Sequence, residues 1–551
     1  MQFSVWPCQS AHQPTNKTMN TVPVRSCFFN TGLKIQLALV FCISTFVAAG
    51  CVANQPVSDS AQGVLPQGVS RVDDQLTPDG TAYSYAYLPD AEQFSIHLAW
   101  PNHWIQSSGI AVASQLGIDL MSSGGAGERS AEQVREDIIT LKSSASLVSS
   151  PDHIYATFTA TPDNLNETIA VIADVLANPE LNKQQFEILK AALIGRVRQR
   201  QLKPSTRLWG IARRALTGNS VLTDYWNNTP VERVVEPVTI DDVRRWHAET
   251  ITRNGVSVAV AGALDEASAG LAIDQVLASL PESLVGGQAD DSLAPKSDQV
   301  VSDVSSKASV QTGLTVLLHD ESVQSTRIAI IGLLPPSRSG NEIHDVVAVA
   351  ALGKGKDSRI IRAVGSEFFE APKETTKETS EQAPKDQPEE ESEEGVQQAD
   401  VATTLVNTNL ANFSREHRVF GISTEVENDR AAEMLALIED AYQSFNSADL
   451  TDEETLPAAV SFANSVRQSA NRPDLVAYGL GQLIIDDLPR DLVKSVIQDT
   501  LSLRANDINQ RIVEHYPDWS ALIKVVMTND AALIPNDCVI AHVEELDQCE
   551  L

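Results

Sequence analysis

The sequence predicts an α+β protein built as two tandem halves of similar plan. Three observations lead there. Strands and helices come in mixed order rather than strict alternation; that order recurs after residues 285–311, a stretch rich in Gly, Ser, Asp and Ala with little periodicity. At 551 residues the chain also exceeds one ordinary domain. The charged fraction of 21% is ordinary, but the formal charge of -32 is not. Such acidity argues against nucleic acid as a partner, because phosphates are neutralised by clustered Lys and Arg, and favours basic partners or simple solubility.

The first half is expected over residues 73–284. Strands are read at 82–88 and 94–100. A helix follows Gly109, where Ile110, Val112, Ala113, Leu116 and Leu120 recur at helical spacing until Gly124, Gly125 and Gly127 end it. Ser130 with Gln133 is a capping-box pattern opening the next helix. Alternating Ile154, Ala156 and Phe158 mark a strand, and helices follow at 164–176 and 182–201, the first closed by Asn178-Pro179. Helix 240–250, strand 256–260 and helix 267–280 complete the half.

The second half, residues 312–530, repeats the order. Strands are read at 314–318 and 328–333, then a helix from Ile343 closed near Gly353. A strand at 419–424, helices at 431–444 and 453–470, and a final strand at 522–527 follow. Residues 370–400 interrupt this half with Glu389-Glu390-Glu391 and Glu393-Glu394, three prolines and almost no large apolar residue. Such a segment buries too little surface to offset its ordering entropy, so a disordered acidic insert is expected there.

Residues 1–50 read as a targeting segment. Lys34 precedes the apolar run 35–49, short for a membrane span and right for a signal core, and the run ends in Ala48-Ala49-Gly50-Cys51. Small residues before a cysteine resemble a bacterial lipobox, which makes Cys51 the expected lipidation site and the bacterial envelope, facing the periplasm and on the outer more than the inner membrane, the expected location. The long leader leaves the start open between Met1 and Met19. Residues 51–72 read as a polar tether. Cys538 and Cys549 lie in a tail at 531–551, where they either pair in an oxidising compartment or stand as free thiols.

Several passages resemble the insulinase and pitrilysin family, which includes the mitochondrial processing peptidases. They are Arg129-Ser130-Ala131-Glu132; Asp163-Asn164-Leu165 running to Asn178-Pro179; Phe186-Glu187 with Lys190 and Pro204; Val238-Thr239-Ile240-Asp241-Asp242-Val243; Asn254-Gly255; and Leu352-Gly353 before Ser358-Arg359-Ile360. The resemblance covers most of the chain beyond the leader. It implies a clamshell of two homologous halves and, in active members, a zinc site on His-x-x-Glu-His in the first long helix with a glutamate from a later helix.

The zinc motif does not carry over. Its histidine positions fall at Leu116 and Leu120 and its general-base position at or beside Asp119. Leucine offers no metal ligand. The third ligand position falls near Gly195 or Arg196, neither a carboxylate. Leu116 and Leu120 are expected to form an apolar stripe, and Asp119 a solvated acid. The family's substrate-holding arginine and tyrosine fall near Gly365 and Phe368 or Phe369.

Other motifs read as ordinary structure: His542-Val543-Glu544-Glu545 has half a zinc motif, and 353–358 lacks the Walker order and reads as a helix cap with exposed lysines. Trp100 and Trp104 with His103 are aromatic enough to line a peptide groove, although packing at a strand end is the simpler reading. No cofactor is expected on this chain. The resemblance implies a catalytically silent lipoprotein subunit, pairing with a zinc-bearing insulinase-like subunit, enclosing peptide and held to a membrane through its lipid. A metallopeptidase with a divergent metal site and an envelope scaffold are the alternatives.

Overall fold

The structure, a computed structural model, describes residues 68–102, 107–218, 231–282, 313–336, 342–355, 357–368 and 406–549. The leader, Cys51, the first part of the tether, the linker 285–311 and the acidic insert lie outside the described residues, as do His103, Trp104 and Phe369.

In the first half, β1 (Arg71–Leu76), β2 (Ala82–Tyr87) and β3 (Phe94–Pro101) lead into α1 (Ser108–Ser123) and α2 (Ala131–Thr140). Next come β4 (Ser144–Ser149), β5 (His153–Ala160), α3 (Leu165–Ala177), α4 (Lys183–Gln201) and α5 (Pro204–Thr217). The half closes with α6 (Val231–Val234), α7 (Ile240–Thr250), β6 (Ser257–Gly262) and α8 (Glu266–Ser279). Local chemistry sets these boundaries. Ser130 and Gln133 form the reciprocal capping box at the start of α2, Asn182 accepts the Gln184 and Gln185 N–H groups at the start of α4, and Thr239 with Asp242 boxes the start of α7.

The second half runs β7 (Thr315–His319), β8 (Ser325–Leu334), α9 (Glu342–Gly353), α10 (Arg359–Phe368), β9 (Val406–Ser414) and β10 (His417–Glu427). It continues with α11 (Ala431–Asn446), α12 (Asp452–Ser469), α13 (Pro473–Ile485), α14 (Leu492–Ser502), α15 (Ala505–His515), β11 (Ile523–Thr528) and β12 (Cys538–Ile540).

Each half is built on a six-stranded sheet, in orders β1-β2-β6-β3-β5-β4 and β12-β7-β11-β8-β10-β9. Five strands correspond in position and direction: β2 and β6 pair in parallel as β7 and β11 do, and the remaining pairs are antiparallel. The sixth differs. β1 is the antiparallel hairpin partner of β2, whereas β12 arrives from the tail and adds in parallel to β7. Arg71 thus already belongs to the sheet rather than to a tether. The tail is likewise integrated: Ile540, Val543, Leu546 and Cys549 are buried against α5, and Cys538 and Cys549 are joined by a disulfide with Cα atoms 5.6 Å apart.

The halves also exchange a helix. Leu208, Ile211, Ala212 and Ala215 of α5, from the first half, pack on β7, β8 and β11 of the second sheet. Val476, Ala477 and Leu480 of α13, from the second half, pack on Ala86, Ala259 and Ala261 of the first sheet. Pro204 and Pro473 open these helices at their first turn, where a missing N–H costs nothing, and so separate each from the long helix before it. Close approach uses glycine: a Cβ at Gly481 of α13 would come 2.4 Å from His97 of β3, and one at Gly421 of β10 would come 2.6 Å from Trp209 of α5. Arg415, in the β9–β10 turn, ties the halves further. Its backbone N–H donates to Asp152 at 2.9 Å, its Nε to Asp486 at 2.9 Å and its Nη1 to Gln482 at 2.8 Å.

Candidate functional site

The position of interest is the outer turn of α1 where it meets α4 and α7. Ser107 caps α1 by accepting from the Gly109 N–H at 3.1 Å, and Leu116 and Leu120 are 0% and 1% exposed in the core of the first half. Burying two such side chains contributes about 1.5–3 kcal/mol each. Between them Gly117 accepts the edge of the Trp246 indole from α7; a Cβ there would lie 2.2 Å from Cζ3. This helix face is therefore filled by carbon.

Asp119 corrects the expectation of a solvated acid. Its side chain is 24% exposed and meets Arg196 of α4, with Nη2 3.2 Å from Oδ2, while Gln115 Nε2 donates to Oδ1 at 3.1 Å. Burial raises the carboxyl's pKa above the usual range, and the Arg196 guanidinium acts against that rise. The residue at or beside the general-base position and one of the residues near the third-ligand position are thus joined as an ion pair. Because Arg196 is 54% exposed, solvent screens the pair and its contribution to stability is at most about 1 kcal/mol.

Trp246 and His247 on α7 complete the surroundings. His247 is buried, and its Nε2–H donates to the Leu176 carbonyl at 2.8 Å, in the last turn of α3. A carbonyl only accepts, so Nε2 carries a hydrogen; burial pulls the ring's pKa down, and the bond to the Leu176 carbonyl acts against that fall. Among the described residues no three His, Cys, Asp or Glu side chains are grouped as a metal site.

The second-half positions aligned with the substrate-holding pair do not supply it: Gly365 lies in α10 without a side chain, and Phe368 ends that helix. Ser358-Arg359 instead has a structural task. Arg359 Nε and Nη2 donate to the Glu454 carboxylate of α12 at 3.0 and 3.3 Å, and Nη1 donates to the Ser444 carbonyl of α11 at 2.6 Å. Lys354, read as an exposed cap residue, is half-buried, and burial pushes its amine down to about 8.

Sequence reading missed a cavity of about 430 Å³ beside this site, between the end of β3, the first turns of α1 and the α6–α7 segment. Trp100, Ile110, Ala113, Val238 and Trp246 line it. Trp100 keeps the packing role read for it, with Nε1 donating to the Thr252 carbonyl at 2.8 Å, and also forms part of this wall. Only the aromatic run from Trp100 to Trp104, read as a candidate peptide groove, signalled the place in the sequence, and its His103 and Trp104 lie outside the described residues; Trp246 sits in a helix whose pattern reads as polar.

No protein-family model and no curated protein matches the sequence. Solved structures do match by fold. A crystal structure of a peptidase M16 inactive domain from Pseudomonas fluorescens superimposes with a TM-score of 0.64 at 14% identity, covering 84% of this chain and 100% of that one. A protease from Helicobacter pylori superimposes with a TM-score of 0.61 at 12% identity, covering 83% of this chain and 99% of that one. The chain has the insulinase-like, peptidase M16 fold across both halves.

Proposed function

We propose that this chain is a catalytically silent insulinase-like protein that serves as the non-catalytic subunit of a heterodimeric envelope zinc metallopeptidase. One observation carries the reading: at the place where the fold's active members hold zinc, Leu116 and Leu120 are buried in the core and Asp119 is paired with Arg196. A buried leucine pair cannot bind or polarise anything, so the contribution left to this body is shape: closing a chamber around peptide and stabilising the zinc-bearing partner. The fold likeness to a peptidase M16 inactive domain supports the same reading. Lipidation at Cys51 and a periplasm-facing, membrane-held location belong to the proposal and rest on the leader sequence.

The test is reconstitution. Purified chain added to a zinc-bearing insulinase-like subunit from the same host raises its peptide hydrolysis and co-elutes with it, with zinc on the partner alone. No change in rate and no association would sink the proposal, and stoichiometric zinc on this chain would replace it with a divergent metallopeptidase.

A further inference from the structure

Between Ile188 and Thr223 the sequence holds eight Lys and Arg and no Asp or Glu, in a chain whose formal charge is -32. Four of these bases find an acid or a carbonyl elsewhere in the fold. Arg196 pairs with Asp119, Arg198 with Glu236 and Arg207 with Asp320, and Lys190 Nζ donates to the Glu236 and Val238 carbonyls. Arg213, in the last turns of α5, pairs with no acid among the described residues. Its guanidinium lies on the Phe413 ring of β9, with Cζ 4.3 Å from the ring centroid, and the charge that acts on it is another cation, Arg200 at the end of α4.

This cation is costly where it stands. Burial pulls the Arg213 guanidinium down to about 10, and Arg200 adds to the fall. The Phe413 face offsets part of that cost but accepts none of the N–H groups in the guanidinium plane. Nε is covered and has no hydrogen-bond partner. The two Nη groups are not covered in that way, the residue as a whole is only partly buried, and neither Nη makes a hydrogen bond among the described residues. They are the atoms a ligand can reach. A planar pair of oxygens fits a guanidinium fork, and a negative charge there relieves the repulsion from Arg200 as well. The acids elsewhere on the chain oppose this little, since at physiological salt their fields are screened beyond roughly 8 Å and the local excess of guanidinium decides.

We propose that Arg213, with Arg200 beside it, is a docking point for a carboxylate, so that the peptides this body takes up preferentially are those carrying Asp or Glu. The inference rests on the reading that this body encloses peptide, and names the class of peptide. Phe413 holds the guanidinium flat, and the Nη groups supply the directional contact.

The experiment is calorimetric titration of the full chain with an acetylated, amidated peptide of alternating Glu and Gly. Its Gln-Gly counterpart is the uncharged control, and inorganic phosphate is the competing anion. The Glu peptide is expected to bind at least about tenfold more tightly than the Gln peptide. Arg213→Gln should weaken the Glu peptide about tenfold while leaving Tm unchanged or higher, because a desolvated charge without a partner does not stabilise the fold. Arg213→Lys, which keeps the charge and loses the fork, should fall between, and it serves as the second variant should the first fail to fold. Equal affinity for the Gln peptide, or an unchanged affinity in folded Arg213→Gln, would overturn the proposal. Displacement by phosphate at the peptide's own concentration would also overturn it, by assigning the site to phosphate. The titration needs no second subunit, so stimulation of a partner can fail while binding holds, and the reverse.

Discussion

Helices α1 and α9 occupy the same place in the two halves, each following the third inner strand and packing on the far edge strand and on the helix that precedes the last inner strand. Their interiors are finished in opposite chemistries. α1 turns Leu116 and Leu120 into the core and keeps its one acid at the margin. α9 buries Asp345 at 0% exposure between Arg418 of β10 and Arg511 of α15; Arg511 Nε and Nη2 lie 3.0 and 2.9 Å from its carboxylate, and Arg418 Nη1 closes the other side. A carboxylate survives in a core only where charge and hydrogen bonds are both returned to it, and two guanidiniums from different elements do that here. The duplicated backbone therefore does not dictate whether this helix carries a polar or an apolar face.

The largest effect that would break this comparison is at Asp345. Asp345→Ala leaves two buried arginines unpaired and is expected to cost about 3–5 kcal/mol in urea unfolding. A loss under 1 kcal/mol would mean that the cluster is solvated.

The arginines beside the next helices extend the contrast. Arg129 in the first half pairs with Asp137 and Asp174 at side-chain exposures of 31–45%, whereas Arg359 and Glu454 in the second are both 10% exposed. Burial works to raise the Glu454 carboxyl, but Arg359, the Thr451 N–H and Arg362 outweigh it and hold it at about 2. A depressed carboxyl contributes stability that is complete above its unfolded value, near 4.3, and is lost as pH falls through about 2. Glu454→Gln should therefore cost about 2 kcal/mol at neutral pH, after discounting the exposed Arg362, and flatten acid unfolding between those values. Asp174→Asn should cost less; equal losses would erase the difference between the halves.

Smaller effects sharpen the α1 side. Gly117→Ala drives a methyl into the Trp246 ring and should cost about 1–3 kcal/mol in thermal unfolding. Asp119→Ala removes a screened pair and should change stability by less than about 1 kcal/mol. A larger loss there would show that this part of α1 is held together by its charges rather than by its leucines.

Much of the plan was legible because apolar periodicity and caps report directly on it. The helix 240–250 matches α7, and the Ser130 and Asn182 starts agree with the caps observed. The elements that escaped reading are those with little apolar signal of their own or whose partners come from far along the chain. β1, with Arg71, Asp73 and Asp74, and β4, with alternating serines, are edge strands with little apolar signal. α13 contains Gly479 and Gly481, which weaken helical propensity, yet Gly481 is what lets the helix settle on His97 of the other half. β12 is three residues long and gains its place from β7 and the neighbouring disulfide.

The sequence by itself determined the α+β class, the two-half repeat and, at Leu116 and Leu120, side chains that offer a metal no ligand. Periodicity is local, and a side chain without a donor atom cannot become a ligand whatever surrounds it. Only the tertiary structure decided that Asp119 has a partner in Arg196, that Asp345 is held by two arginines, that α5 and α13 cross between halves, and that Trp246 borders a cavity with its N–H unmet. Each of these depends on groups brought together across tens to hundreds of residues, and burial, which sets what a charge or an N–H costs, exists only once they have met.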